Sequence, residues 1–270
     1  MDEASQLEVV ARGPVLYVTL NRPERSNALN AALTTAIRDL FTGLYWRHDI
    51  RVVVIGGAGR NFCAGLDLHD FEPDPSTGGA LVDQRRISEI VIAMRRCPQP
   101  IIAMVNGAAA GGGFAIALAS DIRIATPDAR MNAAFIRVGL SACDIGVSYF
   151  LPRIVGASVA SEYLLTGRFI EAERGRELGL FSRIVPPEQL RAEADAYVAD
   201  MLRATPLGLR LTKEALNHAI DAGSLEAVIA MEDRNQILCT RDADFSEAIT
   251  AFREKREPRF ARLPDEDGKD

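Results

Sequence analysis

The sequence predicts an α/β protein in which parallel strands are covered by helices. Short β-branched runs alternate with stretches of helical spacing through the first half of the chain. After about residue 151 nearly every segment has a helical period. Strands and helices that alternate in this order form parallel sheets, because each helix returns the chain to the same end of the sheet.

The first half of the chain divides into a hairpin followed by repeated helix and strand units. The stretch "LEVVARGPVLYVTL" alternates apolar residues and is broken at Gly13 and Pro14, which predicts two short strands. After the loop "NRPERSNALN", the helix "AALTTAIRDLFTGLYWRH" leads to the strand "RVVVIGG". A helix over residues 84–96 then leads to the strand "IIAMV", the helix "FAIALAS" and the strand "DIRIA". Proline and glycine in "FEPDPSTGGALVD" predict a mobile loop before residue 84.

The second half of the chain is predicted to be helical, with "LFSRIV" as its one strand. Six segments have helical spacing: "ASVASEYLLTG", "EAERGRELG", "EQLRAEADAYVADMLRA", "PLGLRLTKEALNHAI", "SLEAVIAMEDRNQILC" and "DFSEAITAFREK". We therefore divide the chain into a core, residues 1–200, and a helical C-terminal region, residues 201–270. The charged end "RLPDEDGKD" is predicted to fray.

Charge and cysteine content narrow the function classes. A formal charge of -6 and a pI near 5.3 argue against binding to nucleic acid or to an anionic membrane surface. The four cysteines are widely spaced without a CxxC pair, which indicates reduced thiols and no zinc site. The acidic start lacks the order of a signal peptide, and no apolar run reaches the ~20 residues of a membrane span. We expect a soluble cytoplasmic protein.

Two glycine-containing loops, each following a predicted strand, are the candidate functional segments. In "NGAAAGGGFAIALASD", Gly111, Gly112 and Gly113 precede a helix, whose N-terminal N–H groups can face an anion or an oxyanion. The alternative is that these glycines only let the helix pack tightly on a strand. In "GRNFCAGLDLHDF", the chain leaves a strand at the end where α/β folds place ligands.

Other enzyme classes lack their motifs in this sequence. In "VVVIGGAGRNF", Gly57 and Gly59 are followed by Phe62 where a dinucleotide loop needs its third glycine. The nucleophile elbow G-x-S-x-G of many serine hydrolases is missing. The sequence also has no P-loop and no cluster of metal-ligand residues.

Over nearly its whole length the chain resembles the crotonase superfamily, the enoyl-CoA hydratase/isomerase fold. Six motifs occur in the family's order: "LNRPERSNALN", "FCAGLDL", "IIAMVNGAAAGGGFAIALASDIRIA", "GLSACDIGVSYFLPRIVGA", "LTGRFIEAERGRELGLFSRIV" and "AFREKREPRF". The resemblance implies a ClpP/crotonase-like spiral of repeated ββα units with a helical C-terminal region. It also implies that the chain binds acyl-CoA thioesters, with coenzyme A as part of the substrate and no separate cofactor or metal.

The resemblance assigns roles to particular residues. The backbone N–H groups of Leu66 and Gly112 would hold the thioester oxygen, on which negative charge gathers when an enolate forms. The remaining residues implied to bind substrate are Arg25, Ser26, Ala28, Ala64, Gly65, Asp67, Leu68, Gly111, Ala115, Phe135, Phe252 and Lys255.

The C-terminal residues among these are implied to act between subunits. In the family a partner's C-terminal helix closes over the nucleotide, a role that falls here to Phe252 and Lys255. Alternatively, Lys255 is one charge on a solvated basic helix. The helical C-terminal region is further implied to pack subunits into trimers or dimers of trimers.

Both glutamates of the family's hydratases are replaced in this chain, by Ala115 and Phe135. Neither side chain can transfer a proton, so the two-carboxylate hydration mechanism cannot operate as it does in those members. Asp144 resembles the aspartate of dienoyl-CoA isomerases, although its segment is one residue longer. Burial in an acyl pocket would raise its pKa and suit it to carry protons. Its alternative role is to cap the helix "IGVSYFLPR".

Two functions remain open from the sequence. The first is an enoyl-CoA hydratase/isomerase enzyme of fatty acid metabolism that isomerises or hydrates a double bond through a thioester enolate. The second is an acyl-CoA binding protein of the same fold without catalytic activity. In either case we expect Asp67 to brace its loop and Asp121 to be structural.

Overall fold

The computed structural model describes residues 5–72 and 74–260 and confirms an α/β fold. The strands are β1 (Leu7–Arg12), β2 (Val15–Leu20), β3 (Val52–Gly57), β4 (Ile101–Val105), β5 (Ala108–Ala110), β6 (Ile122–Ala125), β7 (Arg130–Asn132), β8 (Ile170–Glu171) and β9 (Arg183–Ile184). The α-helices are α1 (Ala31–Leu44), α2 (Thr77–Arg96), α3 (Gly112–Ala119), α4 (Val147–Val155), α5 (Ala157–Thr166), α6 (Ala172–Glu177), α7 (Leu190–Leu202), α8 (Pro206–Ala219), α9 (Leu225–Arg241) and α10 (Ala243–Glu254).

The main sheet has the strand order β1-β2-β3-β4-β6-β9. β1 and β2 form the predicted antiparallel hairpin, and every later pairing in this sheet is parallel. The carboxyl ends of β3 and β4 therefore lie at the same edge. This arrangement brings together the two glycine-containing loops that follow them.

Alternating residues of the central strands face two apolar layers. Val53 and Ile55 of β3 pack with α1, α2 and α3, while Val52 and Val54 pack with α7 on the opposite face. A strand covered on both faces is apolar at every position, as "VVVI" is. Helices on both faces hold the edge that carries the loops in a fixed position.

The structure corrects two predictions about secondary structure. Helix α2 begins at Thr77 rather than near residue 84, because the Ser76 side chain accepts a hydrogen bond from the N–H of Gly79 and caps it. The predicted loop is therefore helical over its second half. The chain also forms a small second sheet of β5, β7 and β8, which the sequence analysis missed. The predicted frayed end, residues 262–270, lies outside the described residues.

The predicted C-terminal helices are present, and they contact the core unequally. Lys213 of α8 is buried and lies 2.9 Å from the Asp121 carboxylate, which also accepts a hydrogen bond from the N–H of Ile101. Asp121 is thus structural, as expected. Helix α9 buries none of its residues within this chain. Within the described part of the chain, no helix is long and apolar enough to cross a membrane.

Candidate active site

Two short backbone bridges join the loops at the edge of the sheet. Cys63 pairs with Ala109, and Leu29 pairs with Leu66. In the second bridge, Leu29 N donates to Gly65 O (2.7 Å) and Asp67 N donates to Leu29 O (3.0 Å). Successive N–H groups of an extended chain point in opposite directions, so the N–H of Leu66 points away from Leu29.

The N–H groups of Leu66 and Gly112 are both free to bind a ligand. Gly112 begins α3, and an N–H in the first turn has no acceptor inside its own helix. Across residues 5–72 and 74–260, neither N–H donates to a protein acceptor. The two loops also approach closely, because a Cβ on Gly65 would lie 3.1 Å from Gly112 N.

Each of the three consecutive glycines is required for a different structural reason. Gly111 has φ +52°, in the left-handed region that favours glycine. A Cβ on Gly112 would lie 2.7 Å from Leu29 Cδ1, and one on Gly113 would lie 2.2 Å from Cys63 O. Tight packing of α3 therefore explains Gly113, while Gly111 and Gly112 also line a cavity.

This cavity has a volume of about 210 Å³ and lies between the two loops, α2 and the segment before α4. Its apolar lining residues are Leu29, Ala64, Leu66, Leu68, Phe71, Ala80, Ile87, Gly111, Gly112, Ala134, Phe135, Val138, Leu140 and Ile145. Its polar lining residues are Asp74, Asp83, Gln84 and Asp144. The structure thus brings the three predicted catalytic residues, Leu66, Gly112 and Asp144, to one cavity.

Asp144 presents one carboxylate oxygen to protein donors and leaves the other without one. Gln84 Nε2 donates to Asp144 Oδ1 (2.7 Å), and so does the N–H of Ile145 (2.8 Å). Within the described residues, Asp144 Oδ2 accepts no hydrogen bond from the protein. Burial raises the pKa of Asp144, and these two hydrogen bonds only partly oppose that effect. A carboxylate with a raised pKa and a free oxygen can accept a proton from a ligand and return it.

The alternative role of Asp144 as a helix cap is wrong. Helix α4 begins at Val147 with Gly146 as its N-cap, and no side chain caps it. Ile145, between Asp144 and that cap, has φ +39°, a backbone conformation that β-branched residues rarely adopt. Such strain concentrates at functional sites, where the surrounding structure maintains it.

Asp67 braces the loop that presents Leu66. Its side chain is 2.9 Å from Arg22 Nη1 and accepts a hydrogen bond from the N–H of His69. Burial alone would raise the pKa of Asp67, but these hydrogen bonds lower it below the usual range. Arg22 also donates to Ala28 O and so joins this loop to residues 22–29.

The sequence analysis missed Gln84 and Arg22. The partner of Gln84 lies 60 residues away along the chain, and that of Arg22 lies 45 residues away. Contacts between residues so far apart along the chain cannot be recognised from a short sequence motif. A buried arginine in an otherwise polar loop would have been recognisable only from its burial in the folded chain.

The two residues predicted to stand at the hydratase glutamate positions are both buried. Ala115 lies inside α3 in the apolar core and does not line the cavity. The Phe135 ring does line it, and its edge would lie 3.5 Å from a Cβ on Gly111. Apolar side chains therefore occupy both positions where the resemblance would place carboxylates.

The remaining predicted substrate-binding residues lie outside the cavity. Arg25 and Ser26 form a turn beside it, and Ala64 N donates to Ser26 O (3.0 Å). Phe252 is 83% exposed on α10, and Lys255 ends that helix, also exposed. Neither lines the cavity of its own chain.

Comparisons with known proteins show the family to which this chain belongs. The family model described as enoyl-CoA hydratase/isomerase matches residues 11–262. A probable enoyl-CoA hydratase of Mycobacterium bovis is 39% identical over 256 residues, covering 92% of this chain and 90% of the relative. The 1,2-epoxyphenylacetyl-CoA isomerase of Escherichia coli is 36% identical, covering 91% of this chain and 94% of the relative.

A solved structure gives the same result for the fold. The crystal structure of a probable enoyl-CoA hydratase/isomerase from Mycobacterium abscessus superposes with a TM-score of 0.87 at 38% identity. The match covers 96% of this chain and 99% of that one. This chain therefore belongs to the enoyl-CoA hydratase/isomerase family.

Proposed function

We propose that this chain is an acyl-CoA enzyme that moves a double bond through a thioester enolate, with Asp144 as the proton carrier. The observation that carries the proposal is the Asp144 carboxylate in the same cavity as the unpartnered N–H groups of Leu66 and Gly112. A proton carrier and two oxyanion donors are the groups that this chemistry needs. Apolar Ala115 and Phe135 at the positions predicted for the hydratase glutamates support the choice of isomerisation over hydration.

The proposed reaction consists of two proton transfers. With a 3-enoyl-CoA, Asp144 takes a proton from C2, and the electron pair of that C–H bond delocalises onto the thioester oxygen. The N–H groups of Leu66 and Gly112 stabilise this dienolate, and each such donor lowers a comparable barrier by about 3 kcal/mol. Protonated Asp144 then returns the proton to C4, which gives the 2-enoyl-CoA and restores the carboxylate.

The test is turnover of trans-2-enoyl-CoA and 3-enoyl-CoA esters by the wild type and by Asp144→Asn. We expect isomerisation by the wild type and a loss of about 100-fold or more in kcat for the variant, with the affinity for acyl-CoA retained. Asparagine keeps the oxygen that accepts from Gln84 and Ile145, so the loop should keep its conformation. A fully active Asp144→Asn protein would refute the assigned proton carrier.

A catalytically silent acyl-CoA binding protein is the second candidate. The observation in its favour is the apolar replacement of both glutamate positions, by Ala115 and Phe135. This candidate predicts firm binding of acyl-CoA with no turnover by the wild type on any chain length. Isothermal titration with a saturated acyl-CoA, run beside the turnover assay, separates the two candidates.

We further propose that the chain assembles as a trimer or a dimer of trimers through its C-terminal helices. Exposed apolar side chains on α8, α9 and α10 support this assembly: Leu216, Leu225, Ile237, Leu238 and Phe252. Burying such residues against a second subunit removes apolar surface from water. Sedimentation velocity of the wild type should give three or six chains, and a monomer would contradict the proposal.

A further inference from the structure

The ionisable side chains that line the candidate active-site cavity are all acidic. Its lining contains the carboxyl groups of Asp74, Asp83 and Asp144, and none of the described residues that line it is lysine, arginine or histidine. Arg86 does not line the cavity, but it pairs with the lining residue Asp83 at 2.9 Å and partly offsets the charge of that carboxylate. An anionic ligand group would therefore meet carboxylates without a cation opposite it.

Asp74 faces the cavity as a carboxylate. The backbone N–H and the hydroxyl of Ser76 donate to Asp74 Oδ1 at 2.7 and 2.6 Å. These hydrogen bonds lower the pKa of Asp74, so it is ionised at neutral pH. Its partners within the described residues are dipoles rather than a cation, and because Asp74 is exposed, its negative charge is screened by solvent alone.

Apart from its three carboxylates and Gln84, the lining of the cavity is apolar. Leu29 and Phe135 are buried in its wall, while Leu68, Phe71 and Leu140 are each about half exposed at its mouth, at 58%, 47% and 52%. Exposed apolar side chains around a concave site indicate a ligand that covers them. A volume of about 210 Å³ exceeds the ~150 Å³ of an apolar cavity that holds one benzene.

From this lining we infer that the cavity selects CoA esters whose acyl group is apolar and uncharged, and rejects esters whose acyl group carries a carboxylate. The inference rests on the proposed function, in that the cavity receives the acyl group. Two effects act together: a carboxylate entering an apolar wall loses hydration without a partner, and like charges repel it. Asp74 supplies the charge of this repulsion that has no paired cation, and Asp83 adds a charge that Arg86 partly offsets.

The test compares the binding of hexanoyl-CoA and adipoyl-CoA, which have the same chain length and differ in a terminal carboxylate. Both are saturated, so isothermal titration measures affinity without any turnover, and the CoA contacts cancel in the ratio. We expect adipoyl-CoA to bind at least about tenfold more weakly than hexanoyl-CoA. Equal affinities, or tighter binding of adipoyl-CoA, would overturn the inference and leave acyl-CoA binding intact.

The variant Asp74→Asn/Asp83→Asn assigns the effect to these residues. We expect the ratio of the two dissociation constants to fall at least threefold toward unity in this variant. The matched control is Asp200→Asn/Asp39→Asn, which removes the same two charges from exposed positions outside the cavity and should keep the wild-type ratio. A ratio unchanged by Asp74→Asn/Asp83→Asn would overturn the assignment. Binding of neither ester by the wild type would instead overturn the proposed function itself.

Discussion

Asp144 combines a half-buried position with hydrogen bonds to a single carboxylate oxygen. Gln84 and the backbone of Ile145 hold Oδ1, and Ile145, which has a left-handed backbone, also lines the cavity. Burial raises the pKa of Asp144 above the usual range of an aspartate. These features make Asp144 a better base than a solvated carboxylate and give the proposed chemistry a measurable pH dependence.

The rate of isomerisation should fall at acidic pH because Asp144 must be ionised to take the first proton. We expect the acid limb of kcat/KM to lie above the usual pKa range of an aspartate. In Gln84→Leu the limb should move to higher pH still, because this change removes a hydrogen bond that lowers the pKa of Asp144. A pH-rate profile of both proteins measures this, and identical acid limbs would contradict the role given to Gln84.

The same carboxylate should reduce stability at neutral pH. A raised pKa means that the folded chain binds the proton of Asp144 more tightly than the unfolded chain does. The stability from this proton is complete below the unfolded pKa and is lost as pH rises through the folded pKa. Asp144→Asn should therefore unfold at a higher urea concentration than the wild type at pH 7. Urea denaturation at pH 7 checks this, and a less stable variant would contradict it.

At the level of secondary structure, the sequence predicted the elements whose pattern is local. The β-branched runs of β3 and β4 and the apolar spacing of α1 identify these elements because their own side chains form the core. β5, β7 and β8 were missed since each has two or three residues and depends on pairing with distant chain. The start of α2 was misplaced because its capping serine lies in a stretch rich in glycine and proline.

The packing of α3 on Cys63 should make Gly113 intolerant of any side chain. A Cβ at this position would lie 2.2 Å from Cys63 O, which is backbone and cannot rotate away. Gly113→Ala should lower the free energy of unfolding by at least about 2 kcal/mol. Gly43→Ala in α1 is the matched control, because a Cβ there meets nothing within 4 Å. The free energy of unfolding of the control should rise by about 0.5 kcal/mol, because alanine has a higher helix propensity than glycine. Equal effects of the two substitutions in urea denaturation would refute the packing argument.

At the scale of the whole molecule, the parallel pairing of the strands could be predicted from the sequence. The residues of the candidate site could be predicted only in part. The order of strands places the loops after β3 and β4 together, which is why Leu66 and Gly112 could be paired from the resemblance. Gln84 was not foreseen, because α2 reaches the cavity only through tertiary packing. The outcome for Asp144 also required the structure, since the sequence left its two roles equally open.

The attachment of α8 to the core should depend on Lys213. Its ammonium lies 2.9 Å from Asp121 and donates to Gln99 O (2.7 Å), with the side chain 4% exposed. Lys213→Met leaves the Asp121 charge with fewer partners and should cost about 3 kcal/mol of unfolding free energy. Lys255→Met, at an exposed position, should change stability by less than about 0.5 kcal/mol. Thermal denaturation of both variants tests this, and similar melting temperatures would contradict it.

Asp144 is part of the cavity lining and has one oxygen without a donor among the described residues, and its position on one side of a bound ligand would determine the stereochemistry of the proposed isomerisation. A carboxyl group on one side of a planar dienolate can reach C2 and C4 only on the same face. The migrating hydrogen should therefore be transferred suprafacially and, while shielded from bulk solvent, partly within the same molecule. A 3-enoyl-CoA deuterated at C2 should deliver part of its label to C4 in ordinary water.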